Sequence, residues 1–162
     1  MCAFCMEGHV MNPFRFRSFT TIKSIISRVS EAAEIYRKRF VLYSLSLFDV
    51  PYSDSLLNSL IDLGFEASIP SLRPDGLTEE RIRAMKMLGQ RVVTIAPETL
   101  SDRIGCWIGK CPKSYNLADI LLAGINEGVD HFKMYLIAGF GREADKESLE
   151  SLEKIFGYAF QR

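Results

Sequence analysis

The sequence predicts an α/β fold in which short apolar strands alternate with amphipathic helices. Apolar and β-branched residues dominate four runs, each of strand length, at residues 41–48, 65–69, 91–96 and 131–137. Stretches with helical spacing separate these runs, and such alternation is typical of a parallel sheet with right-handed crossovers. Four strands are too few to close an eight-stranded barrel, so we expect an open parallel sheet or a partial TIM-like (β/α) barrel.

The region before the first strand is predicted to contain a loop and a helix. Residues 1–19 have no apolar run of their own and include two cysteines, which is typical of a ligand-binding loop. Apolar side chains then recur near helical spacing through residues 20–39, which predicts an amphipathic helix.

The later helices are predicted from their start and stop residues. Ser53 and Thr78 are suitable N-caps, Ser101 and Asn116 open two further helices, and a last helix runs from about Asp145 to the C-terminus. A glycine in the left-handed conformation can return a helix to a strand. Three predicted helices end at such a glycine, namely Gly64, Gly89 and Gly128.

Length and composition favour one domain over residues 1–162. The chain is 48% hydrophobic with a formal net charge of zero, which is typical of a globular protein and argues against disorder. The longest apolar run falls short of the ~18 residues that a membrane span needs, and a signal-peptide core is lacking. We therefore expect a cytoplasmic protein without a membrane partner. In that compartment, four cysteines are expected to be free thiols or metal ligands rather than disulfides.

Two cysteines near the N-terminus are the first candidates for metal binding. Cys2 and Cys5 are spaced so that both thiolates can converge on one soft metal. Cys106 and Cys111 can complete a four-thiolate zinc site in principle. We instead expect Cys106 and Trp107 to pack on the apolar side of a helix, and Cys111 to mark a helix terminus.

Several polar residues follow the predicted strands. Asp49 follows the first, Arg73 the second, Glu98 the third and Gly139 the fourth. The carboxyl ends of parallel strands meet at one edge of a sheet, and ligands bind there. The cysteine loop precedes the first helix and should open on the same face. The sequence therefore predicts a binding site at this edge.

This arrangement resembles the core of a radical S-adenosylmethionine (radical SAM) enzyme. The signature of that superfamily is CxxxCxxC with an aromatic residue before the last cysteine, and Cys2, Phe4 and Cys5 match its second half. Residues 13–18, 71–73, 94–98 and 133–135 are similar to later segments of a branch that often carries a cobalamin-binding domain upstream. The resemblance covers most of the chain.

The resemblance implies a set of cofactors. Cys2 and Cys5 would ligate a [4Fe-4S] cluster that binds S-adenosylmethionine and cleaves it reductively to a 5′-deoxyadenosyl radical. The first cysteine of the motif would lie upstream of Met1, so we expect a core truncated at both ends, with residues 1–19 as the remnant of the cluster loop. An electron donor such as flavodoxin or ferredoxin is implied, and cobalamin would bind through another domain.

The resemblance also implies roles for individual residues. Glu98 would accept hydrogen bonds from the ribose hydroxyls of S-adenosylmethionine, and Arg103 would pair with its carboxylate. Asp49 would lie near the methionine amino group. The backbone from Ile137 to Gly139 would border the adenine, and Phe4 would pack nearby.

Other interpretations remain open at this point. Relatives commonly have Gly-Leu-Pro-Gly-Glu where this chain has Gly139-Phe-Gly-Arg142-Glu143, so the turn departs from the pattern. One alternative is an inactive fragment of the fold, with Cys2 and Cys5 idle or bound to zinc. Another is a small module that recognises a phosphorylated ligand, although the turn lacks the Lys of a P-loop. The reaction and its substrate are not indicated. For nucleic acid, residues 14–17 alone interleave aromatics with cations.

Overall fold

The computed structural model describes residues 2–32 and 39–160 and has a mixed α/β architecture. Its helices are α1 Met6–Val10, α2 Phe19–Ala32, α3 Ser53–Asp62, α4 Glu79–Met87, α5 Asp102–Ile108, α6 Leu117–Asn126 and α7 Arg142–Phe160. Its strands are β1 Arg39–Val41, β2 Glu66–Ser68, β3 Val92–Glu98 and β4 His131–Leu136. The expected alternation of strands and helices is confirmed. Residues 33–38, which the first predicted helix includes, lie outside the described residues.

The strands pair in parallel and in sequence order. β1 pairs with β2, and β3 pairs with β4. Leu72, which follows β2 in the chain, forms an isolated parallel bridge to β3: its N–H donates to the Thr94 carbonyl (2.9 Å) and its carbonyl accepts from the Ala96 N–H (3.0 Å). The predicted parallel pairing is therefore confirmed, in two sheets of two strands each. A closed barrel is not found within residues 2–32 and 39–160.

The core lies between the sheet and helices α3, α4 and α6. In β3, burial alternates along the strand, so that Val93 and Ile95 point inward and are 0% exposed. The helices contribute further side chains that are at most 1% exposed, namely Leu57, Leu60, Ile82 and Met85. This burial of apolar side chains fixes the position of β3, whose carboxyl end carries Glu98.

Most predicted helix ends are confirmed. The Thr78 hydroxyl accepts a hydrogen bond from the Arg81 N–H (3.3 Å), and Asn116 Oδ1 accepts from the Ala118 N–H (3.1 Å). Ser53 is the first residue of α3 rather than its cap, because Tyr52 occupies the cap position. Positive φ angles occur at all three predicted terminal glycines, Gly64, Gly89 and Gly128.

The first strand is much shorter than predicted. The sequence pattern predicts a strand over residues 41–48, whereas β1 ends at Val41 and a 3₁₀ helix forms at Leu47–Asp49. The Leu42 N–H still donates to the Ser68 carbonyl (2.9 Å), but β2 ends at that residue. Without further partner groups on β2, the chain leaves the sheet. The last helix begins at Arg142, three residues before the predicted start, and α1 was not predicted.

None of the described helices is both long and apolar enough to cross a bilayer.

Candidate functional site

The carboxyl end of β3 has an unusual backbone. Among the described residues other than glycine, Glu98 is the one with a positive φ angle, at 69°. Its carbonyl accepts a hydrogen bond from the Ile137 N–H (2.8 Å), which joins the end of β3 to the residue after β4. The β3–β4 register shifts between Ile95 and Glu98. Positive φ in a residue with a side chain is costly, and such strain is concentrated at functional sites.

A lysine holds the Glu98 side chain in place. Lys110 Nζ lies 2.7 Å from Glu98 Oε1 and 2.7 Å from the Ala96 carbonyl oxygen. The two charged side chains are only 10% and 14% exposed, so water screens the pair weakly. Lys110 Nζ also lies 6.0 Å from the centre of the Phe4 ring, a cation–π distance. Lys110 thus joins the strand end to the cysteine loop.

A second charged group follows β2. Arg73 makes a two-pronged pair with Asp75, at 3.0 Å from Nε to Oδ1 and 2.6 Å from Nη2 to Oδ2. The hydrogen bond to Asp75 raises the pKa of Arg73, and the Asp49 carboxylate and a deprotonated Cys2 act in the same direction. The bond to Arg73 lowers the pKa of Asp75, with a smaller effect from Lys110. Asp49, Arg73 and Asp75 border a pocket of about 140 Å³.

The two N-terminal thiols lie on one turn beside the end of α5. The Cys5 N–H donates to the Cys2 carbonyl (3.1 Å), and α1 begins at the next residue. The Ala3 N–H donates to the Ile108 carbonyl (2.9 Å), which fixes the turn to the end of α5. Both thiols are free and half-buried. The contacts of this turn are therefore with the end of α5 and, through the Phe4 ring, with Lys110.

The other two cysteines differ from expectation. Cys106 and Cys111 are joined by a disulfide, so the prediction of four free thiols or metal ligands is wrong for this pair. The chain turns back at Gly109, which has a φ of 81°, and this turn brings the two residues together. While the disulfide is formed, these sulfurs cannot complete a four-thiolate zinc site. Trp107 is 74% exposed, so its predicted packing is also wrong, because α5 turns Gly105 and Ile108 inward instead.

The glycine turn after β4 is held by an aspartate. The Gly139 N–H lies 3.0 Å from Asp145 Oδ2 and 3.2 Å from Oδ1. Gly139 has a φ of 105°, and no atom lies within 4 Å of the position that a Cβ would take. Glycine is therefore needed here for its backbone conformation rather than for space. Glu143 lies on α7, just beyond the turn, and is exposed.

Arg103 is not brought into the group by any contact. It lies on the first turn of α5 and is exposed, and no ion pair or hydrogen bond of its side chain occurs within the described parts of the chain. Lys110, in contrast, was missed by the sequence interpretation. A possible signal was its position directly after the terminal glycine Gly109, where a basic residue follows the end of a helix.

The arrangement combines fixed anions, fixed cations and soft ligands on one edge. Glu98 offers a carboxylate oriented by Lys110, and the Arg73–Asp75 pair supplies a second dipole. Cys2 and Cys5 offer two thiols, but no group of three or more His, Cys, Asp or Glu that can hold a metal occurs among the described residues. Chemically, the edge suits a ligand with both hydrogen-bond donors and charged groups.

Comparison with known proteins gives one informative match. No protein-family model matches the chain. The chain is similar to the uncharacterized protein MJ0966 of Methanocaldococcus jannaschii, with 29% identity over 151 residues. The match covers 93% of this chain and 33% of that protein. The chain therefore spans about a third of the length of the relative it matches.

Proposed function

We propose that the chain is the core of a radical SAM enzyme in which Cys2 and Cys5 ligate a [4Fe-4S] cluster. The observation that carries the proposal is the contact between the thiol turn and the strand-end group that contains Glu98 and Lys110. Free thiols provide the ligands that iron–sulfur clusters take. Arg73 lies close enough to Cys2 to interact with it electrostatically. The positive charge of Arg73 would stabilise the negative charge of a Cys2 thiolate.

The thiols fit part of such a centre. A radical SAM cluster takes three thiolates, and Cys2 and Cys5 supply two of them. Residues 2–32 and 39–160 contain no third side chain that completes a metal-binding group with this pair. The proposal therefore requires a third ligand from outside these residues. When bound, the cluster would supply the electron that cleaves S-adenosylmethionine.

Glu98 is suited to binding the ribose of S-adenosylmethionine. Lys110 engages its Oε1, while no hydrogen bond to Oε2 is found in the described part of the chain. That oxygen can accept hydrogen bonds from ribose hydroxyls without breaking the ion pair. Lys110 would act as a positioning residue, because it restricts the rotation of the Glu98 carboxylate.

The remaining residues would surround the rest of the cofactor. Arg103 is an exposed cation that can pair with the methionine carboxylate, and Asp49 can accept a hydrogen bond from the amino group. Phe4 and the backbone from Ile137 to Gly139 would border the adenine ring. In this proposal the strands belong to a partial TIM-like barrel of a cytoplasmic enzyme. Flavodoxin or ferredoxin would donate the electron, and any cobalamin would bind to another domain.

A second candidate is a non-catalytic domain of the same fold. The observation that favours it is the presence of only two free thiols among the described cysteines. In this case Cys2 and Cys5 would be idle or would bind zinc, and the domain would act in binding or assembly.

Anaerobic reconstitution with iron, sulfide and dithiothreitol tests the first proposal, because a thiol of dithiothreitol can take the third ligand position that residues 2–32 and 39–160 do not supply. We expect about four irons per chain and an EPR signal, after reduction, that changes when S-adenosylmethionine is added. Cys2→Ser and Cys5→Ser should each abolish the signal. The double variant Cys106→Ser/Cys111→Ser is the matched control and should keep it. Little iron, or an EPR signal that does not change when S-adenosylmethionine is added, would reject the enzyme proposal. Stoichiometric zinc in place of iron would favour the second candidate.

A further inference from the structure

Residues 14–17 form an exposed segment that the proposed function does not use. Phenylalanine and arginine alternate along it, and it lies outside any helix or strand. Phe14 is 52% exposed and Phe16 is 50% exposed. Exposed aromatic rings are costly in water, and several together in one patch indicate a binding surface.

The rings of this segment continue into a row of aromatic side chains. The centres of Phe14 and Phe16 are 5.8 Å apart, and those of Phe16 and Tyr52 are 5.9 Å apart. Phe19 stacks on Tyr52 with a centre distance of 4.9 Å. The Tyr52 hydroxyl donates a hydrogen bond to the Arg17 carbonyl, which fixes the segment to the start of α3. The row is therefore held in place by a tertiary contact.

A cleft of about 480 Å³ lies beside this row. Phe14, Phe16 and Tyr52 line it, and so does Tyr43, which is 95% exposed. The cleft is larger than the pocket of about 140 Å³ beside Arg73. Leu47 lines both cavities, but none of the charged residues of the pocket beside Arg73 lines the cleft.

The charge in this cleft is entirely positive. Arg15 and Arg17 line it, and no aspartate or glutamate is among the described residues that do so. Neither arginine has an acidic side chain within salt-bridge distance in the described part of the chain. The whole chain has a net charge of zero, so this positive charge is local. Unpaired arginines next to exposed rings favour a ligand that carries both anionic groups and flat aromatic surfaces.

We propose that this cleft binds single-stranded nucleic acid. The bases would stack on Phe14, Phe16 and Tyr43, while Arg15 and Arg17 would contact the phosphates. Rings that accept stacked bases beside cations that follow the backbone are the recurring elements of single-strand recognition. An apolar peptide would cover the rings but leave both arginines without an anion, so the charges favour the nucleic acid.

Fluorescence anisotropy with a fluorescein-labelled twelve-nucleotide uridine RNA tests the role of the rings. The experiment uses the protein without cluster or cofactor, and is therefore independent of the proposed enzyme function. We expect the unmodified chain to bind, and Phe14→Ala and Phe16→Ala each to weaken binding by about 10-fold, because each removes one stacking surface. Trp107→Ala removes a ring elsewhere that is even more exposed, at 74%, and should change nothing. Circular dichroism would verify that each variant is folded.

The salt dependence of the same measurement tests the arginines. The double variant Arg15→Gln/Arg17→Gln should lower the slope of log Kd against log salt by about 1.4, since each phosphate contact on a single strand contributes about 0.7. Lys146→Gln/Lys154→Gln on α7 is the control with the same loss of charge and should keep the slope. Absence of RNA binding, equal affinity for a blunt duplex, or equal losses in the control variants would each overturn the proposal.

Discussion

The regions around β1 and around β3 differ in how fully their apolar residues are covered. In β3, Val93 and Ile95 are 0% exposed, because the strand lies between neighbours and beneath helices. At the β1 end, Val41, Tyr43 and Leu45 are 64%, 95% and 68% exposed. Within the described residues, β1 pairs with β2 alone. The comparison indicates that the β3 end stabilises the fold, whereas the β1 end has surface available for recognition.

Charged groups differ between the same two regions. Lys110 and Glu98 form a pair that is almost buried, and that pair fixes the carboxyl end of β3. Arg15 and Arg17, beside the β1 end, are exposed and have no acidic partner among the described residues. A charge that is already neutralised by a buried neighbour can orient a ligand but attracts it weakly over a distance. An unpaired exposed charge attracts anions directly.

Two leucine substitutions test the difference in packing. Leu60→Ala, at a side chain that is 0% exposed, should lower the free energy of unfolding by about 2–5 kcal/mol, because it leaves a cavity in the core. Leu45→Ala removes the same atoms from a side chain that is 68% exposed and should cost less than about 1 kcal/mol. Urea unfolding followed by circular dichroism measures both. Similar losses in the two variants would mean that the β1 end is covered in solution.

Two lysine substitutions test the difference in charge. Lys110→Ala should lower the free energy of unfolding by about 2–3 kcal/mol, because it leaves the Glu98 carboxylate poorly solvated and unpaired. Lys113→Ala breaks an ion pair with Asp102 in which the lysine is 71% exposed, and should cost less than about 0.5 kcal/mol.

A double variant separates the ion pair from simple packing. Lys110→Met/Glu98→Gln removes both charges and keeps most of the side-chain volume, so it should recover much of the stability that Lys110→Ala loses. Urea unfolding at pH 7 gives all three values. If the double variant is as unstable as Lys110→Ala, the lysine acts through its packing, and the electrostatic account of the β3 end is wrong.

The sequence predicted the well-packed region of β3 and its helices well, and the exposed region around β1 poorly. Thr78, Asn116 and the terminal glycines mark their helices through local backbone chemistry, which a sequence displays directly. The strand over residues 41–48 failed because strand formation also depends on a partner, and β2 ends at Ser68. Local pattern cannot indicate where the neighbouring strand stops.

The candidate site shows the same limit. Its position at the strand ends follows from the α/β alternation, and Cys2, Asp49, Arg73 and Glu98 were all expected there. The role of Lys110 was missed: Gly109 marks the end of a helix, but the contact with Glu98 depends on how the following turn brings residue 110 back over the strand end. The Cys106–Cys111 disulfide depends on the same turn.

The pH dependence of the free energy of unfolding tests the burial of Tyr115, a residue in the well-packed part of the molecule. The Tyr115 hydroxyl is buried and has no hydrogen-bond partner among the described residues. Burial raises the pKa of Tyr115 to about 12, and the negative charge of Asp75 adds to the effect. A raised pKa means that the folded state favours the neutral phenol. The stability from this group should therefore be complete below pH 10, the pKa of an ordinary tyrosine, and be lost as the pH rises toward about 12.

Tyr115→Phe should remove this alkaline loss, because phenylalanine has no proton to release. The difference from the unmodified chain should be about 1 kcal/mol, since the partly exposed ring is screened by water. At pH 7 the variant should be equally or slightly more stable, because it removes a buried hydroxyl without a partner. Tyr43→Phe, at a ring that is 95% exposed, is the control from the exposed region around β1 and should leave the pH profile of urea unfolding unchanged. If Tyr115→Phe instead destabilises the chain at pH 7, the Tyr115 hydroxyl has a hydrogen-bond partner in solution. The surroundings of Tyr115 and Asp75 would then be more accessible to water than the burial of the hydroxyl indicates.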